Sequence, residues 1–530
     1  MPIRIRKDKP QKSRSRGTTR GSRQPGNSGG SGGGGFGNII GSLLPVLLNL
    51  FKKNPKIGVV VLIVGIIAFF LIGKMGGGAV YQSEEIQNNQ NLEYGVGMEI
   101  DEDVYDRAEV FEPLASNSKN VLPSKISLKE YCPKRMNQGR QGSCVGWASA
   151  YAARTIQYAQ QTGKNPNAVK FSPSYLYNQI ALPNCQGSYL QNAMEQMKNG
   201  GVAPFSKFAY NENSCSKKQD ASSRSLAVQF RTKGYQRLSK GSSDYNTDIQ
   251  AMKQYLSQGA PVVIGMMVGG TFMTKMNGKK MWLPTKKDYA AINSFGGHAM
   301  CVIGYDDSYE GGAFQIMNSW GESWGEKGMF WIKYDDFLAF NREAMALYPM
   351  GSSKKYDPSK LEAQVGLVYN EGVKNIGLMY SGGITFKTLS KVKKDKDFKI
   401  EVTNSTECYT YVLGEENDGS SYVLFPYDQK HSAYCGITGT RVFPRGYSMY
   451  ADEEGDLDRM VVLISKKPLD YQNIRSRINN SSAYSFENKV KEAIGEHLVN
   501  DIEYEGGSTF NFDAKVDENS VVATIIEIRK

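Results

Sequence analysis

Histidine is scarce in this chain, with three residues in 530: His298, His431 and His497. Cysteine occurs seven times without a Cys-x-x-Cys pair, and no His-Glu-x-x-His is present. Zinc sites use those ligands at those spacings, so no metal or other cofactor is expected. Charge of one sign is also missing from most of the sequence. Residues 1–56 hold twelve Lys or Arg against one acid, Asp8, which leaves 52 basic and 52 acidic residues for the rest. The whole net charge of +11 therefore sits at the N-terminus, and the basic pI is no sign of nucleic-acid binding further on.

Long apolar runs are nearly absent too. The exception is Ile57 to Gly73, 17 residues without a charge, bounded by Lys52, Lys53 and Lys56 before it and Lys74 after it. That length just suffices for one transmembrane helix, 57–73. Residues 1–38 read as a disordered, basic, Gly/Ser-rich tail, and 39–56 as a short apolar segment, broken by Pro45, that lies in the interface. A cleaved signal peptide is the alternative. The basic region is too long for one, and Gly76 to Ala79 lacks a small-x-small cleavage pattern. The positive-inside tendency puts the tail in the cytoplasm and everything after Lys74 outside it, on the periplasmic or extracellular side of a single-pass protein. Residues 74–121 read as a linker.

With so few histidines, the setting of each one is informative. His298 lies in Gly296-Gly297-His298-Ala299-Met300, well beyond Asn137-Gln138-Gly139-Arg140-Gln141-Gly142-Ser143-Cys144 and shortly before Asn318-Ser319-Trp320-Gly321. A thiol attacks a carbonyl only as thiolate, so a nucleophilic cysteine needs a base that takes its proton and stays charged beside it. Cys144 and His298 are the candidates. The imidazole must present the right nitrogen to sulfur, which the side-chain carbonyl of Asn318 can arrange from the far side, with Trp320 shielding that bond. Attack builds negative charge on oxygen, for which the Gln138 side chain and the Cys144 backbone N–H are the donors, given a helix starting at Cys144. Val145, Ala148, Ala152 and Ile156 recur at helical spacing, and a helix N-terminus favours a thiolate.

The segment 122–350 resembles the papain-like (C1) cysteine peptidases, of bacterial type. Cys144, His298, Asn318 and Gln138 fall on that family's nucleophile, base, orienting asparagine and oxyanion glutamine. Asn318-Ser319-Trp320-Gly321 followed by Trp324-Gly325 and Gly328-Met329-Phe330 is the most specific part. Two departures stand near the nucleophile: Gln141 replaces the family's usual cysteine, and the tryptophan that normally follows the nucleophile is displaced to Trp147. The resemblance implies an α+β fold of two lobes, helical around Cys144 and β-rich around His298 and Asn318. About forty residues separate the apolar run from Leu122. That leaves no room for the family's long folded prodomain, so latency of that kind is not expected.

Residues 351–370 read as a second linker, and 371–530 as a β-sandwich accessory domain. Short alternating runs such as Phe398 to Val402, Tyr409 to Leu413 and Met460 to Ile464 are separated by turn residues. A helix is expected from Phe486 to Leu498 and a last strand from Val521 to Ile528. Tyr422 to Pro426 and Val461 to Leu469 resemble a small bacterial sandwich domain attached to peptidases, which implies binding of a partner or cell-envelope ligand, or packing on the peptidase alone. In an oxidising compartment, Cys185 with Cys215 and Cys408 with Cys435 are local pairs that spacing permits without fixing connectivity. His431 and His497, which lack any matching asparagine context, read as ordinary surface residues. The expected function is a membrane-anchored cysteine peptidase, an endopeptidase by default, acting on protein or peptide substrates through a Cys144 thioester. A transamidase or cell-wall amide hydrolase with the same triad, or a non-catalytic anchored binding protein, are the alternatives.

Overall fold

The computed structural model describes residues 3–8, 94–350, 357, 359–370, 374–394, 396–451 and 454–530. The expected transmembrane helix 57–73 and the segment 39–56 lie outside them. Among the described residues no helix is long and apolar enough to cross a membrane.

Residues 122–350 fold as two lobes. In the first, a continuous helical run passes from Cys144–Gly146 through a wider π-helical stretch, Trp147–Arg154, to Thr155–Thr162, flanked by Pro173–Ile180 and Leu190–Asn199. Val145, Ala148, Ala152 and Ile156 are buried in it, as their helical spacing requires. In the second lobe, strands run in the order Tyr235–Arg237, Asn341–Leu347, Val262–Val268, Gly296–Asp306, Ala313–Met317 and Met329–Lys333, with Lys125–Ser127 also paired to Gly296–Asp306. All these neighbours are antiparallel.

Two further sheets pack face to face after residue 359. One holds Lys360–Tyr369 between Asp397–Asn404 and Thr509–Lys515; the other centres on Leu457–Ser465, between Cys408–Glu415 and Val521–Arg529. Alternation along Leu457–Ser465 is visible in the packing. Val462 and Ile464 face the core between the sheets, while Val461 and Leu463 face Ile478, Val490 and Ile494 of the helices Tyr471–Asn480 and Phe486–Ile494. Both faces are covered there, so the strand is apolar from Met460 to Ile464.

Four expectations change. Ile3–Lys7, assigned to a disordered tail, is a strand paired antiparallel with Tyr447–Ala451, and Asp8 bonds Lys399 and Ser448. The linker 351–370 contains the long strand Lys360–Tyr369. The linker 74–121 is, from residue 94 on, packed structure: Tyr94, Met98, Tyr105, Val110, Phe111 and Leu114 are buried. His431 is buried as well, edge-on to Tyr427 and bonded to Asp428, because Val110 lies against it. Apolar side chains spaced through a polar stretch do not signal burial until the surface that receives them is known.

Candidate active site

Cys144 opens the helical run, and Ser143 before it does not cap that helix, because its hydroxyl is bonded to the Tyr210 hydroxyl at 2.7 Å. Tyr210 also donates to the main-chain oxygen of Gln138, 2.7 Å away. One phenol thus ties the two ends of the loop between Gln138 and Cys144, at the place where Gln141 stands instead of a cysteine. No feature of the sequence marked Tyr210.

His298 and Asn318 come from neighbouring strands. Met317 pairs with Cys301 in register, so Asn318 leaves its strand alongside the end that carries His298. Nε2 of His298 lies 2.8 Å from Oδ1 of Asn318. That same oxygen accepts the Ser319 backbone N–H at 2.8 Å, which fixes the orientation of the carboxamide. Nε2 must then carry the proton, leaving Nδ1, which has no hydrogen-bond partner, as the lone pair. Trp320 stacks on the imidazole with centroids 4.4 Å apart and covers the His298–Asn318 bond. The Cys144 sulfur accepts from the backbone N–H of Ala299, the residue after His298. Gln138 joins the same group, its Oε1 accepting the Ser319 hydroxyl at 2.6 Å and its backbone N–H donating to the Ser319 oxygen at 2.8 Å. The four sequence-derived residues therefore converge, with Ser319 linking two of them.

Neither Cys144 nor His298 is exposed at all. The cover is the stretch Tyr94 to Glu99, upstream of the two lobes. The Gly95 oxygen accepts from Gln138 Nε2 and from Trp320 Nε1, both at 3.1 Å, and Tyr94 stacks on Trp320. The Gly97 N–H donates to the Gly297 oxygen at 3.2 Å, beside the Cys144 sulfur, and Met98–Glu99 pairs parallel with Ser188–Tyr189. Only glycine fits here. A Cβ on Gly97 would stand 2.4 Å from Gly142 Cα, and one on Gly187 would stand 2.4 Å from the Gly97 oxygen. Met98 fills the floor of the cleft over Gly265, and Glu343 pairs with that glycine from the next strand. Burial raises the Glu343 carboxyl to about 8, against the backbone N–H of Asp101, which favours its charge.

The same burial sets the protonation of the pair. It pushes the Cys144 thiol up to about 11 despite four backbone N–H donors, and His298 down to about 4 despite Asn318. The closed site holds a neutral thiol and a neutral imidazole.

Residues 122–350 match the family model described as papain family cysteine protease. This segment is a papain-family cysteine protease domain. A peptidase C1-like protein of Acanthamoeba polyphaga mimivirus is 28% identical over 227 residues, 40% of this chain and 66% of its own length. Cathepsin B-like CP2 of Giardia intestinalis is 27% identical over 221 residues, 40% of this chain and 69% of its own. The chain thus spans about two thirds of these relatives. Xylellain, a cysteine protease from Xylella fastidiosa, superposes with 23% identity and a TM-score of 0.40, over 48% of this chain and 96% of its own.

The rest of the protease domain is ordinary for its chemistry. Cys185 and Cys215 form a disulfide, one of the two local pairs expected. Cys408 and Cys435, the other pair, face each other in register on adjacent strands as free thiols outside this domain. Among the described residues no group of three or more His, Cys, Asp or Glu is placed to hold a metal ion.

Proposed function

We propose that this chain is a cysteine peptidase, closed by its own residues 94–99, that hydrolyses peptide bonds through a Cys144 thioester. The observation that carries the reading is the His298 ring, held by Asn318 at Nε2 and left unpaired at Nδ1, with the backbone N–H of the next residue, Ala299, on the buried Cys144 sulfur. Once the cleft opens, Nδ1 takes the thiol proton and the thiolate attacks the substrate carbonyl carbon. Gln138 Nε2, freed from Gly95, and the Cys144 backbone N–H receive the oxyanion. His298 returns the proton to the leaving amine, then deprotonates a water that attacks the thioester and releases the acid. The test is modification by a thiol-directed epoxide, with peptide hydrolysis, in the parent and Cys144→Ala after the same limited proteolysis. Both signals vanish in the variant; survival of either removes Cys144 from its role.

Attachment to a membrane through Ile57 to Gly73, with the protease domain outside the cytoplasm, completes the reading. Its support is the uncharged run between lysines and a disulfide suited to an oxidising compartment. A single crossing, however, excludes pairing of Ile3–Lys7 with Tyr447–Ala451 in the same molecule. Impermeant thiol labelling of cysteines placed at Lys9 and Lys515 decides between them. Opposite sides establish the single crossing; the same side keeps the strand and rejects it.

A further inference from the structure

Residues 106–120 belong neither to the family-matched segment, which begins at 122, nor to the sandwich, yet they run between the two as a shared connecting segment with an isolated β-bridge at Val110. On the protease side, the Phe111 N–H donates to the Arg237 oxygen at 3.0 Å, and Leu114 exchanges two bonds with the Gln254 side chain. On the sandwich side, Val110 donates to the Lys430 oxygen at 2.7 Å and accepts from the Ser432 N–H at 3.0 Å. Asn120 grips Thr440 at both its N–H and its oxygen, 2.9 and 2.8 Å. Lys119 reaches Glu401, whose side chain is almost fully buried, at 2.5 Å. Glu112 is buried against Tyr427 and Arg445 of the sandwich.

This segment follows the plug directly in the chain. Glu102–Tyr105 is a single helical turn whose Tyr105 hydroxyl bonds both the N–H and the oxygen of Ala344. The next residue, Asp106, pairs with Arg237 at 3.0 Å and with Lys430 of the sandwich. We infer that the C-terminal domain functions as the clamp of the closing segment, gripping residues 106–120 so that residues 94–99 stay in the cleft. The inference rests on the latency reading above. It gives the domain a task inside the molecule, and by linkage any ligand that draws the domain off this segment favours the open protease.

The test uses the full chain and the rate at which iodoacetamide modifies Cys144, mapped by peptide mass. Asn120→Ala and Lys119→Glu each speed the modification about tenfold, and adding Glu401→Lys to Lys119→Glu brings the rate back toward the parent. Gly97→Ala, which disturbs the plug itself, serves as the reference for an open cleft. If Gly97→Ala is fast while both clamp variants stay at the parental rate, the clamp is refuted and latency stands. If Gly97→Ala is also unchanged, the latency reading falls and the clamp with it. Co-modification of Cys301, which is buried in the β-rich lobe, marks unfolding of a variant; in that event the charge swap decides, and failure of Glu401→Lys to restore the rate overturns the inference.

Discussion

Gly97→Ala adds one carbon where the structure leaves no room for it. The new Cβ stands 2.4 Å from Gly142 Cα and 2.5 Å from the Gly142 oxygen, both main-chain atoms that no rotamer change can move aside. Contact distance between carbons is about 3.5–4.0 Å, so more than an ångström must be recovered by shifting backbone. Overpacking of that kind costs about 1–3 kcal/mol. Gly97 carries no positive φ, so alanine adds no backbone strain, and the lower conformational entropy of the free segment offsets only about 0.4–1 kcal/mol of the steric cost. The cost falls on the closed state alone. An increment of about 1–3 kcal/mol shifts a closed–open equilibrium by about 5- to 150-fold. Alkylation of Cys144 by iodoacetamide, which needs an exposed sulfur and no oxyanion hole, reads that shift directly, with Gly507→Ala as an exposed control that meets nothing within 4 Å. A rate within twofold of the parent would show that residues 94–99 do not govern access to the sulfur.

Three other outcomes follow from the same geometry. In the full chain the alkylation rate climbs with pH through about 11, the position burial gives the thiol, and in Gly97→Ala the inflection moves down because the sulfur regains water; matching profiles would mean that the cover does not set the thiol. Gln138→Ala in the proteolytically opened enzyme lowers kcat about 10²- to 10³-fold with little change in KM, and an unchanged kcat would remove that donor from the oxyanion site. Departure of Met98 leaves Glu343 beside an empty floor, so peptides placing lysine or arginine there are favoured, and Glu343→Gln cuts their kcat/KM about tenfold while sparing apolar peptides.

What could be read in advance was whatever chemistry or periodicity constrains locally. That Cys144, His298, Asn318 and Gln138 come together in the fold was legible because the proposed thioester chemistry calls for those four groups in one place. Met460 to Ile464 and Val521 to Ile528 were legible because a stretch of strand buried on both faces must be mostly apolar. His431 was not, since the surface that buries it comes from Val110, over three hundred residues upstream. Tyr210 was equally silent, one tyrosine among 31 until the loop folds against its hydroxyl. Gly95-Val96-Gly97 reads as spacer by every local rule. It acts as a plug only because Gly142 and Gly187, brought from two other segments, also lack side chains.

That plug acts on the chemistry as well as on access. A thiol held near 11 is ionised at pH 7 to about one part in ten thousand, and a ring held near 4 is neutral there, so neither member of the pair is in the form the first step needs. The partners that would favour charge are still in place: the Asn318 oxygen accepting from the ring, and the N–H groups of Ala299, Val145 and Cys144 on the sulfur. What suppresses the ion pair is the loss of water, for which Tyr94 to Glu99 and the lobes share responsibility. Withdrawing six residues therefore returns the solvent, frees Gln138 from the Gly95 oxygen and takes Tyr94 off Trp320, in one motion. On the proposed mechanism, access, charge and the oxyanion donor would thus be restored together, with one covering segment holding all three in check.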